Sequence, residues 1–159
     1  MEAASPARLY AAAVGLLLVA VGVLGFFYGS DLGAPGKVEA ALGVLRVNGW
    51  LNLLHFAIGL LGLACAGTAS RRYALWTGAL FTVLAVWGFA LGPGDAILGF
   101  IPASGGDDTL HLVLGLLGLA AAAATPRIAA SQGAFPLEGG RKAPRERSEA
   151  GAEAAGEGA

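Results

Sequence analysis

Leu53–Ala64 reads LLHFAIGLLGLA and Thr109–Ala120 reads TLHLVLGLLGLA, so two segments 56 residues apart share a histidine, two glycines and a leucine-rich frame. Apolar sequence aligns easily through Leu, Ala and Gly, but matching His55 with His111 is harder to obtain by chance. The segments ahead of them match as well, at an offset of 63: Tyr10 pairs with Tyr73, Gly15 with Gly78, Leu17 with Leu80, Gly25 with Gly88, Phe26 with Phe89 and Gly29 with Gly92. The chain therefore reads as two copies of a two-helix unit.

The environment of these units follows from composition. Among 159 residues, 56% are hydrophobic and only 13% charged, too apolar for an ordinary soluble domain of this size, which points to a bilayer as solvent. A helix needs about 20 apolar residues to cross the hydrocarbon core. Segments near that length occupy 9–28, 50–69 and 73–91, and a shorter Ala-rich one occupies 109–125 before Pro126 and Arg127 end it. The first could pass for a secretory signal, since Arg8 precedes it. Its apolar run is longer than a signal core, however, and Gly25-Phe26-Phe27-Tyr28-Gly29 is too bulky for a cleavage site, so it reads as a retained span. The expected fold is all-α: an integral membrane four-helix bundle over 1–126, built from two parallel two-helix repeats, followed by a disordered cytoplasmic tail over 127–159.

Basic residues near span ends favour the cytoplasm. One side collects Arg8, Arg71, Arg72, Arg127, Arg141, Lys142, Arg145 and Arg147, and the other holds Lys37 and Arg46. Both termini are thus expected in the cytoplasm, with outer loops at 29–47 and 92–108. The short inner connection around Ser70–Arg72 predicts that the second and third spans form an antiparallel hairpin. The tail is rich in Ala, Gly, Pro, Glu and Arg, and such a segment cannot bury enough apolar area to offset its ordering entropy.

Two spans per unit mean that both copies cross in one sense, as parallel repeats about an axis along the membrane normal do. His55 and His111 then lie at matching depth near the outer surface. Each begins a stripe: Asn52, His55, Gly59, Gly62 and Ala66 in the first copy, and Asp108, His111, Gly115, Gly118 and Ala122 in the second. Steps of 3 and 4 make the seam of a left-handed helix crossing, and small residues let backbones approach closely in lipid. The spacing predicts helix-packing seams, with Asn52, His55, Asp108 and His111 as an interhelical polar cluster at their outer end. Asn48, Asp107 and Asp108 also stand where N-caps are wanted.

The stretches Val47-Asn48-Gly49-Trp50-Leu51-Asn52-Leu53-Leu54-His55 with Gly59 and Gly62, and Ile97-Leu98-Gly99-Phe100-Ile101-Pro102 with Leu110, His111 and Gly115, resemble the domain-of-unknown-function 4383 family. The resemblance covers roughly 8–125 and implies a four-span bacterial membrane protein. Ala103, Ser104 and Gly105 depart from the polar turn the family often has after the proline. The family brings no activity with it.

An ionisable residue within a span is a functional candidate, because it is costly there unless partnered. The first reading is that each histidine hydrogen-bonds across helices and locks the repeat pair, giving a structural or interaction role without a cofactor. Alternatives are a haem or metal site with His55 and His111 as ligands, or a relay for proton or small-solute transport. No phosphate loop, nucleophile triad or full metal motif occurs in the sequence, so an enzyme is not expected. The single Cys65 excludes an internal disulfide and reads as a small core side chain. Near-balanced charge, ten basic against eleven acidic residues, gives no field for nucleic acid. The expected partners are the lipid bilayer of the plasma membrane and either a second copy or another membrane protein.

Overall fold

The computed structural model describes residues 4–33, 38–41 and 45–126. These form four helices, α1 (Pro6–Phe26), α2 (Gly49–Cys65), α3 (Ser70–Leu91) and α4 (Gly105–Ala124), with two-stranded hairpins between α1 and α2 and between α3 and α4. The fold is all-α in character. The tail beyond Pro126, and the disorder expected of it, lie outside the described residues.

Each helix start has a local cause. Ser5 caps α1, accepting from the Arg8 N–H, and Pro6 occupies the first helical position, where a missing N–H costs nothing. Asn48 caps α2 by accepting from Leu51 N–H at 2.8 Å, as its place ahead of the apolar run predicts. Gly92 ends α3 at φ 90°, a conformation that a side chain would strain. Thr125 ends α4 in an extended conformation, which the following Pro126 enforces.

Three boundaries differ from the sequence expectation. α2 stops at Cys65, and Ala66–Ala69 form the turn, so Ser70–Arg72 are the first turn of α3 rather than the connection. The break falls at Gly67, where helix propensity is weakest, whereas arginines continue a helix readily. α4 starts at Gly105, four residues before the apolar stretch, because Ser104 rather than an aspartate caps it. The loops also hold strands that the sequence reading lacked: β1 (Glu39–Ala41) with β2 (Leu45–Val47), and β3 (Ala96–Ile97) with β4 (Ile101–Pro102), all antiparallel.

By length and composition α1, α3 and α4 can each cross a membrane, while α2 is a shorter apolar helix of 17 residues. Large apolar side chains such as Leu16, Leu60, Trp76, Val83 and Leu116 point outward. The core between helices is built instead from Ala7, Tyr10, Ala11, Val14, Leu18, Tyr73, Ala74, Phe81, Leu114 and Ala122, with Cys65 half-buried against it. Many large apolar side chains outside, with glycines and alanines where helices meet, suit a surrounding apolar solvent, where close backbone approach replaces the hydrophobic drive.

The helices pair as α1 with α2 and α3 with α4, and α1 also packs on α3 and α4. The expected α2–α3 hairpin is therefore corrected: the two follow one another across a short turn yet share little surface. Glycines explain the pairing. A methyl added at Gly15 would come within 2.9 Å of the Gly59 carbonyl oxygen, and one at Gly78 within 2.7 Å of the Leu119 nitrogen, so each pair of backbones is in contact. At one end of the molecule, Ala7 N–H donates to Thr125 Oγ1 and Arg71 Nε to the Thr125 carbonyl, bringing the starts of α1 and α3 to the end of α4. Both hairpins lie at the other end.

Candidate functional site

At the hairpin end, the polar residues are held by the same seams. Gly59 and Gly62 of α2 pack on α1, and Gly115 and Gly118 of α4 pack on α3, each buried. Ala122 is buried too, but Ala66 falls past the end of α2 and is only half-buried. These seams close each two-helix unit on itself and leave the first residues of each stripe pointing towards the molecule's middle.

There His55 and His111 face each other with ring centroids 6.0 Å apart and planes inclined at 58°. They are 5% and 3% exposed. Phe81 of α3 stacks on His111 at 5.3 Å and 10°, a flat contact that fixes the imidazole plane. Sequence reasoning missed Phe81, because an aromatic residue in an apolar span carries no positional signal. α2 and α4 share little else, so the histidines are the principal meeting point between them.

Asn52 and Asp108, one turn nearer the hairpins, are fully enclosed as well. Asn52 lies against Gly25 of α1 and donates from Nδ2 to the Gly29 carbonyl at 2.7 Å, whereas Asp108 lies against Gly88 of α3. In both units a side chain larger than glycine's would overlap the polar group. Two buried atoms here have no hydrogen-bond partner, Asn52 Oδ1 and His55 Nδ1. Unsatisfied polar atoms are costly in a low-dielectric interior, and such pairs are the usual station of an ordered water or a bound group.

Asp107 does different work. Its carboxylate accepts from the Arg46 N–H at 2.9 Å and from the Ser104 hydroxyl, while Ser104 Oγ accepts from Asp107 N–H. This reciprocal cap, of the Ser-x-x-acid type, was readable in the sequence at Ser104–Asp107. The bond from β2 to α4 also ties the first hairpin to the second unit.

Deeper in the molecule, two tyrosines cross between units. Tyr10 Oη donates to the Leu114 carbonyl at 2.9 Å, and Tyr73 Oη donates to the Ile58 carbonyl at 3.1 Å. Each phenol lies over a seam glycine of the other unit, Gly118 and Gly62 respectively.

Among the described residues, no group of three or more His, Cys, Asp or Glu side chains comes together to hold a metal ion. The seams beside the histidines are closed by backbone, since a methyl at Gly59 would come within 2.6 Å of the Val19 nitrogen.

No curated protein and no solved structure matches the chain. The family described as Domain of unknown function (DUF4383) matches residues 8–124, a range that takes in the four helices almost entirely, both hairpins and the histidine pair. With that span matched, the chain belongs to the DUF4383 family.

Proposed function

We propose that the chain is a four-span protein of the bacterial cell membrane, with both termini cytoplasmic, built from two copies of a helix–hairpin–helix unit and serving a structural or interaction role rather than catalysis. The orientation is supported by Arg8, Arg71 and Arg72, which share the end where α1 and α3 begin. The duplication is supported by contacts that recur at an offset of 56 in the second helices: Asn52 and Asp108 on glycines of the preceding helix, Ile58 and Leu114 as tyrosine acceptors, Asn48 and Ser104 as caps. The observation that carries the role is the buried approach of His55 to His111, which joins α2 to α4 where little else does. A ring contact of this kind contributes about 0.5–1.5 kcal/mol beyond the area it buries and favours one packing among several. The remaining partners are lipid and either a second copy or another membrane protein.

A second reading is favoured by the unpartnered His55 Nδ1 and Asn52 Oδ1: the pair holds a metal or haem, or passes protons or a small solute. Two imidazoles form a weak metal site. Absorbance and elemental analysis of the detergent-purified protein test both readings. The structural role predicts a colourless, metal-free protein that loses thermal stability on His55→Ala or His111→Ala. A stoichiometric metal or a haem band reverses the ranking.

A further inference from the structure

Ala96–Ala103 reads AILGFIPA, eight residues without a charged or hydrogen-bonding side chain, although it lies in a connection between helices. Ile97 and Ile101 pair across the β3–β4 hairpin and are buried with Leu51 of α2, while Leu54 of α2 and Leu84 of α3 pack on the same cluster. Leu84 stands two turns short of the end of α3, and Leu54 more than one turn into α2. The hairpin therefore folds back alongside the helices and fills the gap left because α2 and α3 hardly touch.

Several of its backbone groups are satisfied by the protein. Gly99 N–H donates to the Ala96 carbonyl, Phe100 N–H to Ile97, Ala103 N–H to Asp95, and Asn48 Nδ2 reaches across to the Phe100 carbonyl at 2.6 Å. Non-helical backbone is tolerated at membrane depth only where the protein meets its hydrogen bonds in this way. The tip is apolar and outward. Leu98 sits in the left-handed region at φ 55° with 68% of its surface exposed, beside an open depression of about 310 Å³ lined by Trp50, Leu98, Gly99 and Phe100. Phe100 packs edge-on to Trp50, whose indole N–H is already taken by the Leu32 carbonyl, so that the exposed part of the indole is apolar.

A helix of 17 residues spans about 25 Å, short of the hydrocarbon thickness of about 30 Å, so segments at the ends of α2 must cover part of the core. We propose that the Ala96–Ala103 hairpin is a re-entrant element that inserts Leu98 and Phe100, with Trp50, into the outer leaflet, where the depression takes lipid acyl chain. That contact covers the apolar patch of Leu98, Phe100 and Trp50, which in water would be left exposed.

The inference rests on the membrane reading, and the test separates the two. In a Cys65→Ser background, Leu98→Cys and, as a mid-span control, Val83→Cys are spin-labelled and reconstituted into phosphatidylcholine and phosphatidylglycerol vesicles. Accessibility to oxygen is compared with that to a water-soluble nickel chelate. The result expected is that oxygen dominates at both sites, more weakly at Leu98. Chelate dominance at Leu98 with a deep Val83 overturns the re-entrant hairpin alone; chelate dominance at both overturns the membrane reading too. As a label-free check, a variant retaining only Trp50, with Trp76→Phe and Trp87→Phe, should show blue-shifted emission quenched by lipids brominated near the headgroup. Unquenched, water-like emission contradicts the proposal.

Discussion

Tyr10 and Tyr73 exchange helices: each stands on the first helix of one unit and bonds to the second helix of the other, Tyr10 to the Leu114 carbonyl and Tyr73 to the Ile58 carbonyl, with the rings 6.3 Å apart. The two acceptors occupy equivalent places in the two units. Because helix carbonyls already accept within their own helix, the phenols use spare lone pairs and disturb neither ladder. The exchange couples the units deep in the molecule, as the histidines couple them near the hairpins.

Removing either hydroxyl should therefore cost similar amounts. Tyr10→Phe and Tyr73→Phe keep the ring and each lose the bond to the carbonyl across the units, Tyr10 also its longer 3.5 Å bond from Thr77 Oγ1, so each should lower unfolding free energy in detergent by about 0.5–1.5 kcal/mol. Comparison of the two denaturation curves checks this. A loss confined to one tyrosine would contradict the idea that the two bonds share one task.

How much of this arrangement was legible depended on the kind of signal. The 3- and 4-residue steps of Asn52, His55, Gly59 and Gly62 point to one face of α2, and all four are buried. Periodicity names a face, however, and not the neighbour it meets. The short turn after α2 suggested pairing with α3, whereas the glycine contacts at Gly15 and Gly78 direct α2 to α1 and α4 to α3. The tyrosine exchange was hidden for the same reason, since matching Tyr10 with Tyr73 shows equivalence and says nothing of crossing. The hairpins went unread because strands of two or three residues are too short to show alternation.

Glycine size should matter unequally along the chain. At Gly25 a methyl would overlap the Asn52 carboxamide, which is wholly buried and bonded to the Gly29 carbonyl, and at Gly88 it would overlap the Asp108 carboxyl. Gly25→Ala and Gly88→Ala should each destabilise by about 1–3 kcal/mol, the usual cost of overpacking. Gly67→Ala, in the turn with nothing within 4 Å, should be close to neutral. Thermal melts of the three variants decide it, and a tolerated Gly25→Ala would show that Asn52 is not fixed where it lies.

Topology can be read without purification. With Arg8, Arg71 and Arg72 at the cytoplasmic end, an N-terminal or C-terminal tag should be protected from antibody or protease in intact cells. A single cysteine at exposed Asp95, in a Cys65→Ser background, should instead react with an impermeant maleimide from outside. Labelling of the tags with protection of position 95 would invert the molecule.

The central claim, that the His55–His111 contact is a structural lock between α2 and α4, is tested most directly by a double-mutant cycle on unfolding free energy. His55→Ala and His111→Ala should each destabilise the protein, and the double variant should lose less than their sum, with a coupling of about 0.5–2 kcal/mol, because each single change already breaks the shared contact. Additive losses, or histidine variants as stable as the parent that lose a bound metal, a haem band or a proton flux, would contradict it.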